Sequence, residues 1–398
     1  MSMRRFLIPL LFAGLLPAQR PPVEDAWDLL ANGQRGEAVQ VLRKIITAHP
    51  SDADARLMLG SILTEDGNHA EAIAQLKEAV RLAPRSAPAQ NALGDALNGF
   101  RDTAAARVAF EKAVEFDPEF AAARVSLGLI LVEDSEFAAA GKHLDRALAL
   151  MGNSADAAFP HYLRAKVYTK EDEVERAGAE LNKAVSLRPD FAEAWSDLGE
   201  ARKALLDNTG ALAAFQHAVD ADPENSVARY RLGSELFYRG EVRQAVTHLE
   251  KAFRLDPENQ STLYVLQLAL RQDGQDERAG YIKDELTKLI RERDRASQQA
   301  MVVLQMNNEG AALEKTGNLR EAMGKYRAAL ALDPNHVGIR TNFAAALLRL
   351  GQWSQGIAEL REALRRDPRN NLLQQALDEA LSQAPAGTDA SGKQKRVP

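Results

Sequence analysis

Apolar and small residues recur along this chain with a period of about 34 residues. Within one period, positions 4, 7, 8 and 11 share one face of a first helix, because an α-helix turns once every 3.6 residues. Positions 20, 24 and 27 share one face of a second helix for the same reason. The pattern therefore predicts a series of helix pairs, in which two apolar stripes face each other.

A proline at position 32 marks the end of most periods. Its ring removes a backbone donor and disfavours helix in the preceding residue, so it predicts the end of the second helix. Two longer intervals, from Pro118 to Pro189 and from Pro257 to Pro334, each equal two periods with a short insertion. Such regular spacing is typical of a stacked repeat array. The prolines at position 32 are Pro50, Pro84, Pro118, Pro189, Pro223, Pro257, Pro334 and Pro368.

Small residues occupy the positions at which the two helices of a repeat should cross. Position 20 is Ala in nine of ten repeats, and position 8 is mostly Gly or Ala. We expect these residues to let the helix backbones approach closely, with the large residue at position 24 filling the space beside them. Gly128, Gly199 and Gly233 are each expected to face the Ala at position 20 of their own repeat.

Glycine also recurs near position 15, between the two helices. Glycine suits the left-handed backbone that commonly ends a helix, so these residues predict the end of the first helix. They are Gly33, Gly67, Gly240, Gly274, Gly317 and Gly351.

One repeat carries Trp195, Leu198, Gly199, Ala211, Phe215, Ala218 and Pro223. With these residues the chain resembles the tetratricopeptide repeat family, although Arg202 stands where the family usually has an aromatic residue or Leu. The resemblance covers about residues 24–370. It implies an all-α fold, a right-handed superhelical solenoid of about ten helix pairs with a C-terminal capping helix.

The spacing of the repeats predicts the organisation of the chain. Repeats one to eight are expected in residues 19–295, and repeats nine and ten in residues 296–370. The stretch from Tyr281 to Glu309 lacks both Gly and Pro, which favours an extended helix. Residues 371–384 form an amphipathic pattern, as expected of a helix that caps the apolar end of the array. The polar tail, residues 385–398, is expected to be disordered.

Residues 1–18 have the pattern of a secretory signal peptide. Arg4 and Arg5 precede an apolar run, Phe6–Leu16, and Ala18 offers a small residue before a cut at Gln19. This run is shorter than the roughly 20 residues that span a bilayer. We therefore expect an exported protein, periplasmic or secreted, with no stable membrane anchor after cleavage. The alternative is an uncleaved anchor.

Composition and motifs argue against several classes of function. The formal net charge of −6 offers no basic face for nucleic acid, and the absence of Cys excludes thiolate metal sites. None of the common nucleotide-binding, zinc-protease or serine-hydrolase motifs occurs, and no His lies one helical turn from another in the i, i+4 spacing of a metal-binding pair. We therefore expect no enzyme activity, no cofactor and no metal site.

The resemblance implies that first helices line the concave surface and that this surface binds a partner. Tyr and Arg, which are enriched at binding hot spots, concentrate on the first helices of repeats five to eight. The alternative is that the tyrosines at positions 5 and 12 serve packing alone. The predicted partner-binding residues are Tyr162, Lys166, Lys203, Tyr230, Arg231, Phe237, Tyr238, Tyr264 and Arg271.

These expectations combine into one predicted function. The chain is expected to be an exported scaffold that binds a protein or peptide in its concave groove, as part of a larger envelope complex for assembly or secretion. The alternative is an accessory subunit of a polysaccharide-export machine that binds a glycan.

The predicted export can be checked at the N-terminus. We expect the mature chain to begin at Gln19, because Ala18 ends the predicted signal peptide. Mass spectrometry of the protein from its native source would measure this start. A chain that keeps Met1 or Ser2 and stays in the cytoplasm would contradict the prediction.

Overall fold

The computed structural model describes residues 23–368 and 370–385. Within these residues the chain has 20 α-helices, one short 3-10 helix and no strand, which confirms the predicted all-α class. None of these helices is both long and apolar enough to cross a membrane. The predicted signal peptide, residues 1–18, and the predicted tail beyond Pro385 lie outside the described residues.

The chain divides into two compact bodies, and the first ends at Gln275. Its helices are α1 (Val23–Ala31), α2 (Arg35–Ala48), α3 (Ala53–Glu65), α4 (His69–Leu82), α5 (Ala87–Gly99), α6 (Thr103–Phe116), α7 (Ala121–Glu133), α8 (Phe137–Met151), α9 (Ala158–Lys170), α10 (Val174–Leu187), α11 (Ala192–Ala204), α12 (Asn208–Ala221), α13 (Ser226–Tyr238), α14 (Val242–Leu255) and α15 (Gln260–Gln272).

The second body begins at Asp276 with a helix of 40 residues. The stretch without Gly and Pro is thus one continuous helix, and the predicted division at residue 295 falls inside it. The helices of this body are α16 (Asp276–Lys315), α17 (Leu319–Leu332), α18 (Val337–Arg349), α19 (Trp353–Arg366) and α20 (Asn371–Gln383).

Within each body, consecutive helices pack as pairs, and the pairs stack. In the first body each odd-numbered helix up to α13 packs on the next even-numbered one, which also contacts the first helix of the following pair. First helices of successive pairs contact each other as well, for example α3 with α5 and α13 with α15. This stacking of helix pairs confirms the predicted solenoid.

The close approach inside a pair depends on position 8. The atoms nearest to a Cβ on Gly128, Gly199 or Gly233 would belong to the large side chain at position 24 of the same repeat, with which it would collide. Position 20 also lies against position 8, since a Cβ on Gly356 would come 3.2 Å from the Ala344 carbonyl oxygen. The contact between positions 8 and 24 occurs in the pairs Gly60–Leu76, Gly94–Phe110, Gly128–Leu144, Gly199–Phe215, Gly233–Leu249 and Gly310–Tyr326.

The type of residue at position 24 is related to the type of residue at position 8. Aromatic residues at position 24, namely Phe110, Phe215 and Tyr326, occur only opposite Gly. Where position 8 is Ala, as in Ala165, position 24 is Leu, as in Leu181. Burying one such side chain stabilises the fold by about 1.5–3 kcal/mol. The chain therefore fills the same space with different combinations of small and large residues.

A second contact joins five of the repeats to the repeat before them. In these repeats the side chain at position 4 donates to the carbonyl of the proline near the end of the preceding repeat. Arg229 Nε lies 2.7 Å from the Pro223 oxygen, and Trp195 Nε1 lies 2.8 Å from the Pro189 oxygen. The same bond occurs for Arg56, Arg124 and Arg340. Position 4 thus satisfies a backbone acceptor in the turn between two repeats.

The turn inside each repeat has a left-handed residue at position 15, whether or not that residue is Gly. The six predicted glycines all have positive φ. In repeats three to six, position 15 is occupied by a residue with a side chain. These four residues also have a positive φ, which is a strained conformation for any residue other than Gly. They are Arg101 (φ 68°), Ser135 (φ 64°), Asp172 (φ 60°) and Leu206 (φ 63°).

The C-terminal helix α20 caps the second body. Leu373, Leu377 and Ala380 are buried in a cluster with residues of α18 and α19, including Ile357. Leu372, which the sequence placed on the same stripe, is 76% exposed. The buried stripe is therefore narrower than predicted.

The contact between positions 8 and 24 can be tested at Gly199. We expect Gly199→Ala to destabilise the protein by about 1–3 kcal/mol, because the new methyl group overlaps the Phe215 ring. Adding Phe215→Leu should recover part of this loss, since repeat five already combines Ala165 with Leu181. Gly178→Ala is the matched control, because its Cβ would meet only Ala201 Cβ at 3.9 Å. Chemical denaturation measures all three variants, and equal curves for Gly199→Ala and Gly178→Ala would contradict this contact.

The strain at position 15 can be tested at Leu206, a turn residue that is 85% exposed. We expect Leu206→Gly to stabilise the protein by about 1 kcal/mol, because glycine adopts a positive φ without steric cost. The mirror substitution, Gly240→Ala, places a side chain at the equivalent position and should destabilise by a similar amount. Thermal unfolding measures both, and a loss of stability in Leu206→Gly would refute the argument.

Candidate partner-binding face

The predicted binding residues lie on α9, α11, α13 and α15, the first helices of repeats five to eight. We call the surface formed by their positions 5, 6, 9, 12 and 13 the first-helix face. α13 contacts both α11 and α15, so side chains from successive repeats meet on this face.

Two tyrosines of the first-helix face are open to solvent. Tyr238, the last residue of α13, is 68% exposed, and Tyr264, in the second turn of α15, is 54% exposed. Arg271 near the end of α15 is also exposed. These three side chains therefore lie at the surface of the protein.

Tyr230 and Phe237 are only half-buried, so each combines packing with some exposed surface. The Phe237 ring meets the Tyr238 ring edge-on, with 5.4 Å between centroids. Such an edge-to-face contact holds the exposed ring in a defined orientation. Phe237 therefore acts as the support of Tyr238.

Tyr162 is buried, which corrects its expected place in the groove. Only 6% of it is exposed, and its ring lies 4.9 Å from that of Phe191. Burial and the nearby Asp197 carboxylate raise the pKa of Tyr162 above its ordinary value. The cause is Phe191, which precedes α11 where most other repeats have a polar capping residue, and which packs on the ring.

Arg231 is engaged with the neighbouring first helix. Its Nη1 atom lies 3.0 Å from Asp197 Oδ1 and 2.7 Å from Ser196 Oγ, both on α11. Its Nε atom lies 3.3 Å from Glu200 Oε1. Lys166 on α9 approaches the same Asp197, with 3.9 Å between Nζ and Oδ2. Asp197 is therefore shared by cations from the repeats on either side.

Lys203 is engaged with a buried carboxylate. Its Nζ atom lies 3.1 Å from Glu235 Oε2 on α13, and Glu235 is only 4% exposed. The same ammonium group lies 5.5 Å from the centre of the Tyr238 ring. Because a buried carboxylate without a partner is costly, we infer that Lys203 neutralises Glu235 and supports Tyr238 from beside it.

Three cations of the first-helix face are therefore paired where the sequence suggested that they were free. Of the four predicted cationic residues, Lys166, Lys203 and Arg231 all face carboxylates. Glu235 was missed by sequence reasoning because it is surrounded by apolar residues. A signal for the Arg231 pair was present, since position 6 is Asp197 in one repeat and Arg231 in the next.

A buried histidine–carboxylate pair links α9 and α10. His161 on α9 is buried and bonds to Glu180 on α10. Burial acts to raise the pKa of Glu180, but the bonds from His161 and Lys183 outweigh it and hold the pKa below its ordinary value. Across residues 23–368 and 370–385, no three His, Asp or Glu side chains converge in a way that could hold a metal ion.

Comparison of sequences gives three matching family models, all described as tetratricopeptide repeat. One matches residues 24–87, 91–160 and 230–288. The second matches residues 313–381, and the third matches residues 160–191. Together these matches extend over both compact bodies.

Two curated relatives are similar over part of their length. The tetratricopeptide repeat domain-containing protein PYG7 of Arabidopsis thaliana is 32% identical over 103 residues, which are 26% of this chain and 34% of that protein. The DnaJ homolog subfamily C member 7 homolog of Schizosaccharomyces pombe is 23% identical over 229 residues, which are 54% of this chain and 40% of that protein. The chain thus spans between a third and two fifths of these relatives.

Three solved structures are similar to part of this chain at low identity. YrrB, described as a tetratricopeptide repeat protein with an unusual peptide-binding site, is 22% identical, with 48% of this chain and 96% of YrrB covered and a TM-score of 0.39. PilF of Pseudomonas aeruginosa is 17% identical, with 53% and 94% covered and a TM-score of 0.49. MamA is 22% identical, with 42% and 95% covered and a TM-score of 0.37.

Proposed function

We propose that this chain, which belongs to the tetratricopeptide repeat family, is a scaffold. It binds a protein or peptide partner on the first-helix face of repeats five to eight. A repeat array of this family is suited to protein–protein interaction, and such arrays are generally non-catalytic. The specific part of the proposal is that the partner binds to this face.

The observation that carries the proposal is the exposure of Tyr238 and Tyr264 on successive first helices. A large aromatic ring in solvent has no role in packing the array, and Tyr is among the residue types most enriched at binding hot spots. Tyrosine also loses little side-chain entropy on binding, because only two torsions need to be fixed. The two rings therefore offer contact area to a partner at low cost.

The paired charges indicate how the partner is held. Lys166, Lys203 and Arg231 already face carboxylates, so they have little charge left for an acidic ligand. The binding energy would then come mainly from burial of the aromatic rings and from hydrogen bonds to the phenol groups. Such binding depends only weakly on salt, because screening acts on exposed charges.

Export and an envelope role belong to the same proposal. The pattern of residues 1–18 supports export to the periplasm or the exterior, where a scaffold would join a larger assembly. The second candidate function, a polysaccharide-export accessory subunit that binds a glycan, is favoured by the same two exposed rings, because sugars also stack on tyrosine. A photo-crosslinking amino acid at position 238 or 264 would distinguish the two by the chemical nature of the captured ligand.

We expect Tyr238→Ala combined with Tyr264→Ala to weaken partner binding by at least about 2 kcal/mol, the usual threshold of a hot spot. The melting temperature should change little, because both rings are largely exposed. Calorimetry with the free partner, once crosslinking has identified it, measures the affinity at low and high salt.

Tyr281→Ala is the matched control, since Tyr281 is a 58% exposed tyrosine that belongs to the second body. Its removal should leave the affinity unchanged. If the double variant instead loses stability while each folded molecule binds normally, the rings are structural and the proposed face is wrong.

A further inference from the structure

A cleft of about 220 Å³ lies between the second helices of repeats three and four, α6 and α8. Its apolar part consists of Val114 on α6, Leu127 and Leu131 on α7, and Ala139 on α8. None of these residues belongs to the first-helix face. The cleft is thus a separate feature, formed by the second helices α6 and α8 together with Leu127 and Leu131 of α7.

The rim of the cleft is polar. Arg107 and Glu111 come from α6, Glu136 directly precedes α8, and His143 follows one turn after Ala139. An apolar interior with a charged rim is the usual arrangement of a site that takes an apolar group.

The residues at this junction explain the open space. Arg107 occupies position 21, and Ala139 occupies position 19 of the next repeat, where seven repeats have longer residues and only Ala105 and Gly210 are as short or shorter. The short Ala139 and the absence of an apolar side chain at position 107 leave the space between α6 and α8 unfilled. Most other repeats have an apolar residue at position 21, namely Val39, Ile73, Leu212, Val246, Met323 and Ile357.

Arg107 is held at the rim by three carboxylates. Its Nε atom lies 2.9 Å from Glu111 Oε1, and its Nη1 atom lies 3.1 Å from Asp134 Oδ2. Its Nη2 atom lies 3.1 Å from Glu136 Oε2. These bonds engage all three nitrogens of the guanidinium at the rim of the cleft.

The charge around the cleft is negative on balance. Three carboxylates surround one guanidinium, and Glu111 and Asp134 each use only one oxygen on Arg107. His143 adds no positive charge near neutral pH, because burial and the Arg124 guanidinium lower its pKa. Arg124 itself, which lies beside His143, donates to the Pro118 carbonyl at 2.7 Å. The rim therefore favours a cationic group.

The size of the cleft suits one side chain and not a whole cofactor. An apolar cavity of about 150 Å³ is enough to hold benzene, whereas drug-sized ligands occupy about 300 Å³ or more. A volume of about 220 Å³ therefore admits a single large aliphatic or aromatic side chain.

We propose that this cleft is a second docking site, which takes one large apolar side chain of a protein partner that carries Lys or Arg beside it. The apolar side chain packs between α6 and α8 on Leu127 and Leu131. The flanking cation pairs with the unused oxygen of Glu111 or Asp134. Because the site uses no residue of the first-helix face, the two surfaces can be altered independently.

The proposal can be tested with three capped tripeptides, Lys-Leu-Lys, Glu-Leu-Glu and Lys-Ala-Lys, titrated into the ¹⁵N-labelled protein. We expect Lys-Leu-Lys to shift the amide signals of α6 and α8 and to bind at least about tenfold more tightly than Lys-Ala-Lys, because only the larger side chain fills the cleft. Glu-Leu-Glu should bind more weakly than Lys-Leu-Lys, because it meets carboxylates of like charge.

Three variants make the test specific. Ala139→Leu fills the cleft from within and should abolish binding of Lys-Leu-Lys without lowering the melting temperature. Gln244→Leu introduces leucine at the equivalent position of another repeat, and it should leave binding of Lys-Leu-Lys intact. Glu111→Gln should weaken Lys-Leu-Lys by about threefold, the size expected for one exposed ion pair, while leaving Glu-Leu-Glu no weaker.

Several results would overturn the proposal. The first is the absence of amide shifts in α6 and α8 with Lys-Leu-Lys at about 10 mM, a range in which single side-chain contacts are measurable. The second is equal binding of all three peptides, and the third is undiminished binding of Lys-Leu-Lys to the Ala139→Leu variant. The variant with Tyr238→Ala and Tyr264→Ala should bind Lys-Leu-Lys normally, which separates this site from the first-helix face.

Discussion

The close contact between position 8 of the first helix and position 24 of the second is the interaction on which the other features depend. It sets the distance between the helices of a pair, because a side chain larger than Gly or Ala would push Phe215 or its equivalents aside. Only with that distance fixed can the pairs stack with a constant offset. The stacking then brings position 6 of one repeat beside position 6 of the next, where Arg231 meets Asp197.

The sequence predicted the helix pairs because their signals are local and recur ten times. Proline at position 32, small residues at positions 8 and 20, and glycine at position 15 each act through the backbone. The identity of a contact partner was harder to predict. Positions 20 and 24 lie on one helix face, so the spacing could not decide that the Phe215 ring lies nearest to Gly199.

The candidate site was predicted less well, because its properties arise between repeats. Tyr162 is buried by Phe191, the last residue of the same repeat, which lies directly before the first helix of the next one, and the spacing of residues along a single helix does not reveal this contact. The sequence suggested that Lys166, Lys203 and Arg231 were free to contact a partner. In the structure each of them faces a carboxylate of an adjacent repeat. Tyr238 and Tyr264 are largely exposed, as expected for positions on the outside of a helix, because neighbouring repeats cover only a small part of each ring.

The four left-handed residues that are not glycine lie in consecutive repeats, from Arg101 in repeat three to Leu206 in repeat six. The stability of a repeat array is close to a sum of terms for each repeat and each interface between neighbours. Strain of about 1 kcal/mol in each of four adjacent terms therefore accumulates in the middle of the first body. Local opening, as seen by amide hydrogen exchange, would then begin within this central segment as well as at the terminal repeats, and the flanking glycine-turn repeats would stay protected as separate cooperative units.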